Sequence, residues 1–291
     1  MTDRALGIDV SVWQDINSTP QMVDFNKAKS AGASFAFMKS SQGLFVDPDF
    51  VMNWQNAGDA GILRGVYHFL DFKNKPANKT ANQWAIDQAV FFWGVVKNLN
   101  LDFLPVCDYE DMGNLPAATV RGALKNFLES FFSLSGKRCM IYTRMSLWTI
   151  YGSADVYWQQ YQLWVAQYFF NTVPANPILK PPFTKWYFWQ FTDKGDGLKY
   201  GCESKQVDLN YFNGTVAELY AYANHPLPEP VDPQKAARLD ELDRLQKYVD
   251  QRRVDVGPLT DPTDVVKGSR INELDRIQLY DTVRRAEVNA S

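Results

Sequence analysis

Short apolar runs recur along the first two thirds of the chain, and a polar or aromatic residue of chemical interest follows each of them. Runs of this length, bounded by turn signals, are typical of buried strands. Segments with helical spacing of apolar residues separate the early runs. The eight predicted strands are Leu6–Val10, Phe35–Lys39, Gly65–Leu70, Leu104–Tyr109, Cys139–Thr143, Leu163–Gln167, Trp186–Phe191 and Gln206–Asn210.

Alternating strands and helices indicate parallel strands joined by helical crossovers, and eight strands indicate a closed barrel. At Asp47-Pro48 a helix cap is predicted before a proline in the first helical position. The segment between Phe191 and Gln206 is too short for a long crossover helix. We therefore expect an α/β fold, an irregular barrel with short or missing helices after the fifth strand. The predicted helices cover approximately Thr19–Ala31, Asp47 to Gly58 or Gly61, Lys79–Lys97 and Pro116–Leu134.

Two carboxylates stand at the end of the fourth predicted strand. Residues i and i+2 of a strand point the same way, which puts Asp108 and Glu110 on one face with Cα atoms roughly 6.6–6.8 Å apart. Two carboxylates this close repel each other, so the proton affinity of at least one rises. An acid kept protonated in this way is suited to general-acid chemistry. A strand ending in a solvated acidic turn is the alternative for this pair taken alone.

Other polar residues favour the functional interpretation of Asp108 and Glu110 over a solvated acidic turn. In parallel barrels the loops at the carboxyl ends of the strands carry the chemistry. Four carboxylates predicted at one barrel mouth favour a functional site. A lone histidine at a strand end is more often structural, and the side chains of Tyr67 and His68 cannot both face inward on a regular strand. The residues predicted at the mouth are Asp9, His68, Asp108, Glu110, Tyr142, Gln190 and Asp208.

Composition narrows the classes of function. The net charge is −3 without a basic block, so we expect neither nucleic-acid binding nor membrane insertion, and no run of 18 apolar residues occurs. Two histidines and three cysteines without C-x-x-C spacing predict no metal site and no cofactor. Aromatic residues make up 14% of the chain, and their faces suit sugar stacking as well as core packing.

An ordered set of motifs from about residue 5 to 213 resembles glycoside hydrolase family 25, the lysozymes of bacteriophages, bacteria and fungi. The resemblance implies a β-1,4-N-acetylmuramidase acting on bacterial peptidoglycan, built on a barrel with five helices and three trailing strands of antiparallel type. The motifs are Gly7-Ile8-Asp9-Val10-Ser11-x-Trp13-Gln14, Tyr67-His68-Phe69, Asp108-Tyr109-Glu110, Trp189-Gln190-Phe191-Thr192 and Val207-Asp208-Leu209-Asn210.

The same resemblance implies roles for individual residues. Glu110 matches the proton donor, Asp108 the carboxylate assigned to the substrate's acetamido group, and Asp9 and Asp208 the two flanking carboxylates. We expect a retaining route in which the acetamido group itself attacks, while direct attack by Asp9 or Asp108 stays open because the sequence does not give the carboxylate separation. The residues implied to line the sugar groove are Tyr67, Tyr142, Trp164, Tyr168 and Gln190.

The tail differs in composition from the barrel. Four prolines between Pro226 and Pro233 predict a stiff linker over residues 223–232, after a catalytic domain of residues 1–222. Residues 238–253 and 270–285 match at nine of sixteen positions with an offset of 32, and each copy is a predicted helix. We expect a helical element over residues 233–291 that docks on the barrel, mediates oligomerisation or binds the cell wall.

These features favour a phage lysin that is made in the host cytoplasm without a signal peptide and acts on the cell wall after release. Two other functions compete with it: a barrel that binds glycan without cutting it, and a structural virion component that contacts the wall. A carbohydrate deacetylase would pair Asp with two or more His around a metal, and His68 alone does not provide this.

Overall fold

The structure, a computed structural model, describes residues 4–15, 23–169, 173–228, 233–257 and 265–290. The chain divides into two compact units, Met1–Leu227 and Pro228–Ser291. All strands of the described residues belong to the first unit. They are β1 Leu6–Val10, β2 Ala33–Gln42, β3 Phe45–Val46, β4 Leu63–Phe69, β5 Val106–Asp108, β6 Met140–Arg144, β7 Leu163–Ala166, β8 Phe188–Asp196 and β9 Gln206–Phe212.

Eight of these strands close into a barrel, because β1 pairs with β2 on one side and with β9 on the other. The two-residue β3 only extends the end of β2 as a short hairpin. From β1 through β8 the barrel strands pair in parallel, and β9 alone is antiparallel to both of its neighbours. The irregular barrel is therefore confirmed. Three trailing antiparallel strands are not, since β7 and β8 are parallel.

Helices connect the early strands and thin out after the fifth predicted strand, as expected. Asp24 caps α1 by accepting a hydrogen bond from the Lys27 N–H, and Thr80 caps α3 through the Gln83 N–H. The start of the first predicted helix, 19–22, lies outside the described residues. The helices of this unit are α1 Phe25–Ser30, α2 Phe50–Asp59, α3 Ala81–Val96, α4 Ala117–Ser135, α5 Met145–Tyr151 and α6 Val216–Tyr222.

The helix predicted to start at Asp47-Pro48 begins later. Asp47 does not cap α2; its carboxylate accepts hydrogen bonds from the Val12 and Asp49 N–H groups instead. Asp47 therefore ties the turn after β1 to the turn before α2. The short α5 escapes the sequence pattern because its seven residues follow β6 directly, without a turn signal.

Alternation along the strands separates an aromatic barrel interior from a second layer beneath the helices. Phe35 and Phe37 on β2 face inward and pack edge to face with a ring separation of 6.0 Å. Gly7 and Gly65 make room for them, because a Cβ at Gly7 would meet the Phe35 ring at 2.5 Å and one at Gly65 the Phe37 ring at 2.2 Å. Aromatic rings thus fill the barrel below its mouth.

The second unit consists of α7 Pro233–Val256 and α8 Val265–Ala290. The two helices pack side by side and antiparallel, since residues near the end of α7 contact residues early in α8. Leu242 and Val249 on α7 and Leu274 on α8 are buried in this small unit. Within the described residues, no helix combines the length and apolarity needed to span a membrane.

Candidate active site

Strand alternation brings the four predicted carboxylates to one mouth of the barrel. Asp9 is the fourth residue of β1, Asp108 ends β5, and Glu110 follows two positions later on the same face. Together with Asp208 they line a cleft of about 250 Å³. Ile8 and Cys107, one position before Asp9 and Asp108, pack instead into the layer beneath the helices.

Asp208 reaches the mouth by a different route from the one predicted. It is the third residue of β9, near the start of the strand rather than at its carboxyl end. Because β9 runs antiparallel, its start lies beside the carboxyl end of β1, and Asp208 pairs directly with Asp9 across the two strands. The reversal of one strand therefore places this carboxylate at the mouth.

Gln190 joins these two carboxylates. Its Nε2 donates to Asp9 Oδ2 at 2.9 Å and to Asp208 Oδ2 at 3.1 Å. Its Oε1 accepts from the Tyr142 hydroxyl at 2.8 Å and from the Tyr168 hydroxyl at 2.5 Å. Both amide hydrogens and the amide oxygen are thus occupied, which fixes the orientation of the side chain.

Asn210 completes this network, although we did not predict it as a site residue. Its Nδ2 donates to Asp9 Oδ2 at 2.7 Å, while its Oδ1 accepts from Trp164 Nε1 at 2.8 Å. Trp164 is itself buried and stacks on Phe37 at 4.4 Å between ring centroids. The Asp9 carboxylate is therefore held by two amides whose own positions are fixed by the barrel core.

Burial raises the proton affinity of this pair. Removal from water raises the pKa of Asp9 to about 6, against the lowering effect of its hydrogen bonds to Gln190 and Asn210. Desolvation and the charge of Asp9 raise the pKa of Asp208 to about 9. At neutral pH Asp208 is accordingly the protonated member, and Asp9 carries the larger share of the negative charge.

Asp108 and Glu110 have charged side chains as neighbours, whereas Asp9 and Asp208 accept hydrogen bonds from side-chain amides. Desolvation and the neighbouring Glu110 raise the pKa of Asp108 well above its ordinary range, and desolvation raises the pKa of Glu110 as well. Two cations oppose these shifts: Lys39, and Arg144, whose guanidinium lies 3.5 Å from the Glu110 carboxylate. Two carboxyls in this setting do not ionise independently, so the pair retains a proton that neither holds alone.

One oxygen of Asp108 has an unmet requirement. Oδ1 is buried and has no hydrogen-bond partner among the described residues. Leaving such an acceptor unsatisfied costs about 1–3 kcal/mol. The oxygen is closed to solvent, so a donor from a molecule in the cleft can satisfy it only after the Asp108 carboxyl rotates.

The residues predicted to line the groove fall into two groups. Tyr67, Tyr142, Trp164 and Gln190 border the cleft, while Tyr168 reaches it through the hydrogen bond to Gln190. Tyr142 and Trp164 are buried in the floor, where they hold amides in place. The described residues of this cleft thus supply a preorganised floor.

Besides Asn210, sequence reasoning missed three residues in or beside the cleft. Lys39 lies on the inner face of β2, and its amino group donates to Gln42 Oε1 at 2.6 Å. Arg144, at the end of β6, was not singled out, although strand-end placement could have found it. Trp13 lies at the rim with 76% of its surface exposed, an unusual exposure for tryptophan.

His68 lies outside the cleft. It is fully buried between β4 and the helices, where its ring stacks on Phe127 at 5.3 Å and its nitrogens bond with Ser41 Oγ and Gln88 Oε1. Desolvation lowers its pKa to about 3, so the ring is neutral. Its predicted position at the mouth is therefore wrong. Tyr67 takes the inward position, which leaves His68 to face the helices.

In the part of the chain that the structure describes, no group of three or more His, Cys, Asp or Glu side chains is placed to hold a metal ion. The three cysteines Cys107, Cys139 and Cys202 are buried and unpaired thiols.

This chain is similar to known proteins in sequence and in fold. The chain is 33% identical over 221 residues to an uncharacterised Escherichia coli protein, YegX, covering 75% of this chain and 73% of the relative. It is 31% identical to Lysozyme M1 of Streptomyces globisporus over 234 residues, 77% of this chain and 73% of the relative. The crystal structure of a bacterial lysozyme from Streptomyces coelicolor superposes with a TM-score of 0.60 at 30% identity, covering 77% of this chain and 99% of that one.

The model of the family Glycosyl hydrolases family 25 matches residues 8–198, which is more than half of the chain. The matched segment contains three of the four carboxylates and Gln190. This chain therefore belongs to glycosyl hydrolase family 25 and is a glycoside hydrolase.

Proposed function

We propose that the protein is an N-acetylmuramidase that hydrolyses the β-1,4 bond between N-acetylmuramic acid and N-acetylglucosamine in bacterial peptidoglycan. The observation that carries the proposal is the Asp108–Glu110 pair in the cleft, with one buried Asp108 oxygen lacking a donor. Family membership and relatives named lysozymes support the same substrate class.

Glu110 is the proton donor in this proposal. Burial raises the pKa of its carboxyl, which favours the protonated form that a general acid needs, and Arg144 stabilises the carboxylate that remains after the proton has left. The proton passes to the glycosidic oxygen as the bond from that oxygen to C1 breaks. The same carboxylate then takes a proton from the water that attacks C1 in the second step.

Asp108 acts on the substrate's 2-acetamido group. The substrate N–H donates to the unpartnered Asp108 oxygen, which favours the ionised form of Asp108 and leaves the shared proton on Glu110. The acetamido oxygen can then bond to C1, so cleavage proceeds with retention and without a covalent bond to the enzyme. This route supplies a donor to the buried Asp108 oxygen, which has no partner among the described residues.

Asp9 provides most of the fixed negative charge near the reacting centre, while Asp208 holds the proton of the pair. Their oxygens are held by Gln190 and Asn210, so little reorganisation is needed when positive charge develops at C1. Trp13, exposed at the rim, provides a flat face on which a sugar ring can stack. The groove residues Tyr67, Tyr142, Trp164, Tyr168 and Gln190 shape the floor beneath that ring.

The biological role that fits is that of a phage lysin acting on the host wall after release. A second unit of repeated helices behind a catalytic barrel supports a modular lytic protein. A glycan-binding barrel without activity and a wall-contacting virion component are the competing roles.

Product analysis tests the reaction. Purified peptidoglycan is digested with the protein, and the products are reduced and weighed by mass spectrometry. We expect new reducing ends at N-acetylmuramic acid. New reducing ends at N-acetylglucosamine, or products cut in the peptides, contradict the proposed bond. The absence of any cleavage contradicts the proposed activity and favours a binder.

We also propose that the catalytic domain, residues 1–222, is separable at the linker, 223–232, from the helical element, 233–291. All barrel strands and all four carboxylates precede Pro228. A chain ending at Leu227 should keep its thermal transition and its rate on solubilised peptidoglycan. It should lose activity on intact cells or its oligomeric state. An unfolded truncated chain, by circular dichroism, contradicts this boundary.

A further inference from the structure

The two helices of the C-terminal unit are related by an approximate twofold axis. Gln246 and Gln278 donate to each other's amide oxygens at 3.1 and 2.6 Å. Arg253 pairs with Asp275 at 2.6 Å, and Arg285 pairs with Asp243 at 2.7 Å. Each bond is exchanged with its counterpart by the repeat offset of 32, so the two repeats occupy equivalent environments.

This symmetry creates two grooves of related composition. Groove 1, of about 670 Å³, is bordered by Arg238, Glu241, Tyr280 and Arg284 over Leu242, Leu245 and Val288, and Arg244 adds a third arginine. Groove 2, of about 350 Å³, is bordered by Arg270, Glu273, Tyr248 and Arg252 over Leu274, Ile277 and Val256, and Asp255 adds a second carboxylate. Each groove takes its arginine, glutamate and leucine from one helix and its tyrosine and second arginine from the other.

We propose that grooves 1 and 2 are two related binding sites for a short zwitterionic peptide, which is the stem peptide of peptidoglycan. Naming the stem rests on the proposed function above. The inference that the sites are twin peptide sites rests on the grooves themselves.

The chemistry of the grooves favours such a peptide. Each groove offers at least two guanidinium groups for carboxylates, a glutamate for an ammonium group, and an aliphatic floor for methyl and methylene groups. In groove 2, Arg252 also lies 3.6 Å from the carboxylate of Asp255. Arg238 and Arg270 have no carboxylate partner within the described residues. A neutral sugar has no charge to pair with two arginines.

The tyrosines provide a matching pair of exposed faces. Tyr280 is 53% and Tyr248 is 50% exposed, and the guanidinium of Arg284 or Arg252 lies 5.4 Å from the respective ring centroid. The stacked arginine is thereby held beside the ring, which lowers the cost of ordering it on binding.

The positions that are identical in the two repeats are those that join the helices or line the grooves. Of the nine identical positions, three make the bonds between the helices and six line a groove in at least one copy. Lys247 and its counterpart Leu279 differ, and both are exposed outside the grooves. What the two repeats share is therefore what joins them and what shapes the grooves.

Two binding sites on one unit are suited to a polymeric ligand. A wall presents many stem peptides, so binding of one stem raises the effective concentration of the next at the second groove. The unit would thereby keep the enzyme on the wall between cleavage events.

Calorimetric titration of the full-length protein with a synthetic sugar-free stem tetrapeptide, L-Ala-γ-D-Glu-L-Lys-D-Ala, tests the proposal. We expect two peptides per chain. Tyr248→Ala and Tyr280→Ala should each leave one, and the double variant should bind at least ten times more weakly. Leu279→Ala and Lys247→Ala are the matched controls and should keep both sites. Should the tyrosine variants lose helix content, Arg238→Gln and Arg270→Gln replace them.

Other outcomes overturn the inference. These are no binding, one site per chain, equal binding of an all-L peptide of the same composition, or tyrosine-dependent binding of an N-acetylglucosamine hexamer instead of the peptide. Light scattering tests whether a second copy of the chain occupies the grooves instead. If the parent is a dimer and the tyrosine variants are monomers, the grooves join copies of the chain. The peptide contains no glycosidic bond, so its binding is independent of whether the barrel is a muramidase.

Discussion

The two halves of the acidic cleft are held in opposite ways. Asp9 and Asp208 are fixed by amide hydrogen bonds from Gln190 and Asn210, which are anchored in the barrel core. Asp108 and Glu110 have charged neighbours instead, and one Asp108 oxygen has no partner in the described residues. In the proposed mechanism this difference is a division of labour: the first half sets the field, and the second half contacts and protonates the substrate.

The largest expected effect comes from Glu110→Gln. The amide keeps the shape of the side chain but carries no proton to donate, so turnover on peptidoglycan should fall by about 10²–10⁴-fold. The thermal transition should stay within a few degrees of the parent. Glu129→Gln, an exposed carboxylate on α4, is the control. An unimpaired Glu110→Gln enzyme removes Glu110 from the chemistry.

Asp108→Asn should be nearly as severe, with a loss on the order of 10²-fold. An asparagine can still accept the substrate N–H but supplies no negative charge to the developing cation. The measurement is kcat on solubilised peptidoglycan, with KM determined separately. A rise in KM at constant kcat would show that Asp108 only binds, and the substrate-assisted route would lose its support.

Asp9→Asn should cost less, about tenfold, since a change of one pKa unit in a neighbouring acid corresponds to about 1.4 kcal/mol. Its charge raises the pKa values of both Asp108 and Asp208, so its removal lowers them. The basic limb of the pH–rate profile should therefore move to lower pH. A profile identical to that of the parent places Asp9 outside the reacting field.

Asp208→Asn should have the smallest effect on rate and a visible effect on stability. The pKa of Asp208 is about 9 in the folded protein against 3.8 ordinarily, so between these values the folded state holds a proton that the unfolded state has lost. The free energy of unfolding thus falls as pH rises through this window. Asparagine does not titrate, which removes that loss.

The melting temperatures of the parent and of Asp208→Asn, measured by calorimetry at pH 5 and pH 8, test this expectation. The stability gained by Asp208→Asn should be larger at pH 8, and each 1 kcal/mol corresponds to about 2–4 °C in a domain of this size. The exposed Asp59→Asn is the control. A gain that is equal at both pH values shows that Asp208 is already ionised in the folded protein.

Much of the barrel is readable from the sequence. Strands such as Leu6–Val10 are recovered because a buried strand requires an uninterrupted apolar run, and the alternation within it sets the inward face. Asp108 and Glu110 therefore share a face as the i, i+2 spacing predicts. The alternation of side chains decides which of Tyr67 and His68 faces inward only when the position of the strand in the sheet is known. The sequence does not give that position.

Contacts between distant strands could not be predicted. The bridge from Gln190 to Asp9 spans 181 positions, and that from Asn210 to Asp9 spans 201. Asp208 was expected at the carboxyl end of its strand, whereas it lies near the start of the antiparallel β9. In the tail, the repeat was visible, but the twin grooves depend on antiparallel packing, which no single helix pattern specifies.

The most direct test of the division of labour measures how fast the Glu110→Gln variant and the parent hydrolyse two substrates. One carries the natural sugar leaving group, and the other carries a dinitrophenolate that departs without protonation on the same N-acetylmuramyl unit. If Glu110 is the proton donor, the variant loses about 10²–10⁴-fold on the first substrate and hydrolyses the dinitrophenyl substrate at close to the parent rate for the bond-breaking step. Equal losses on both substrates contradict the assignment.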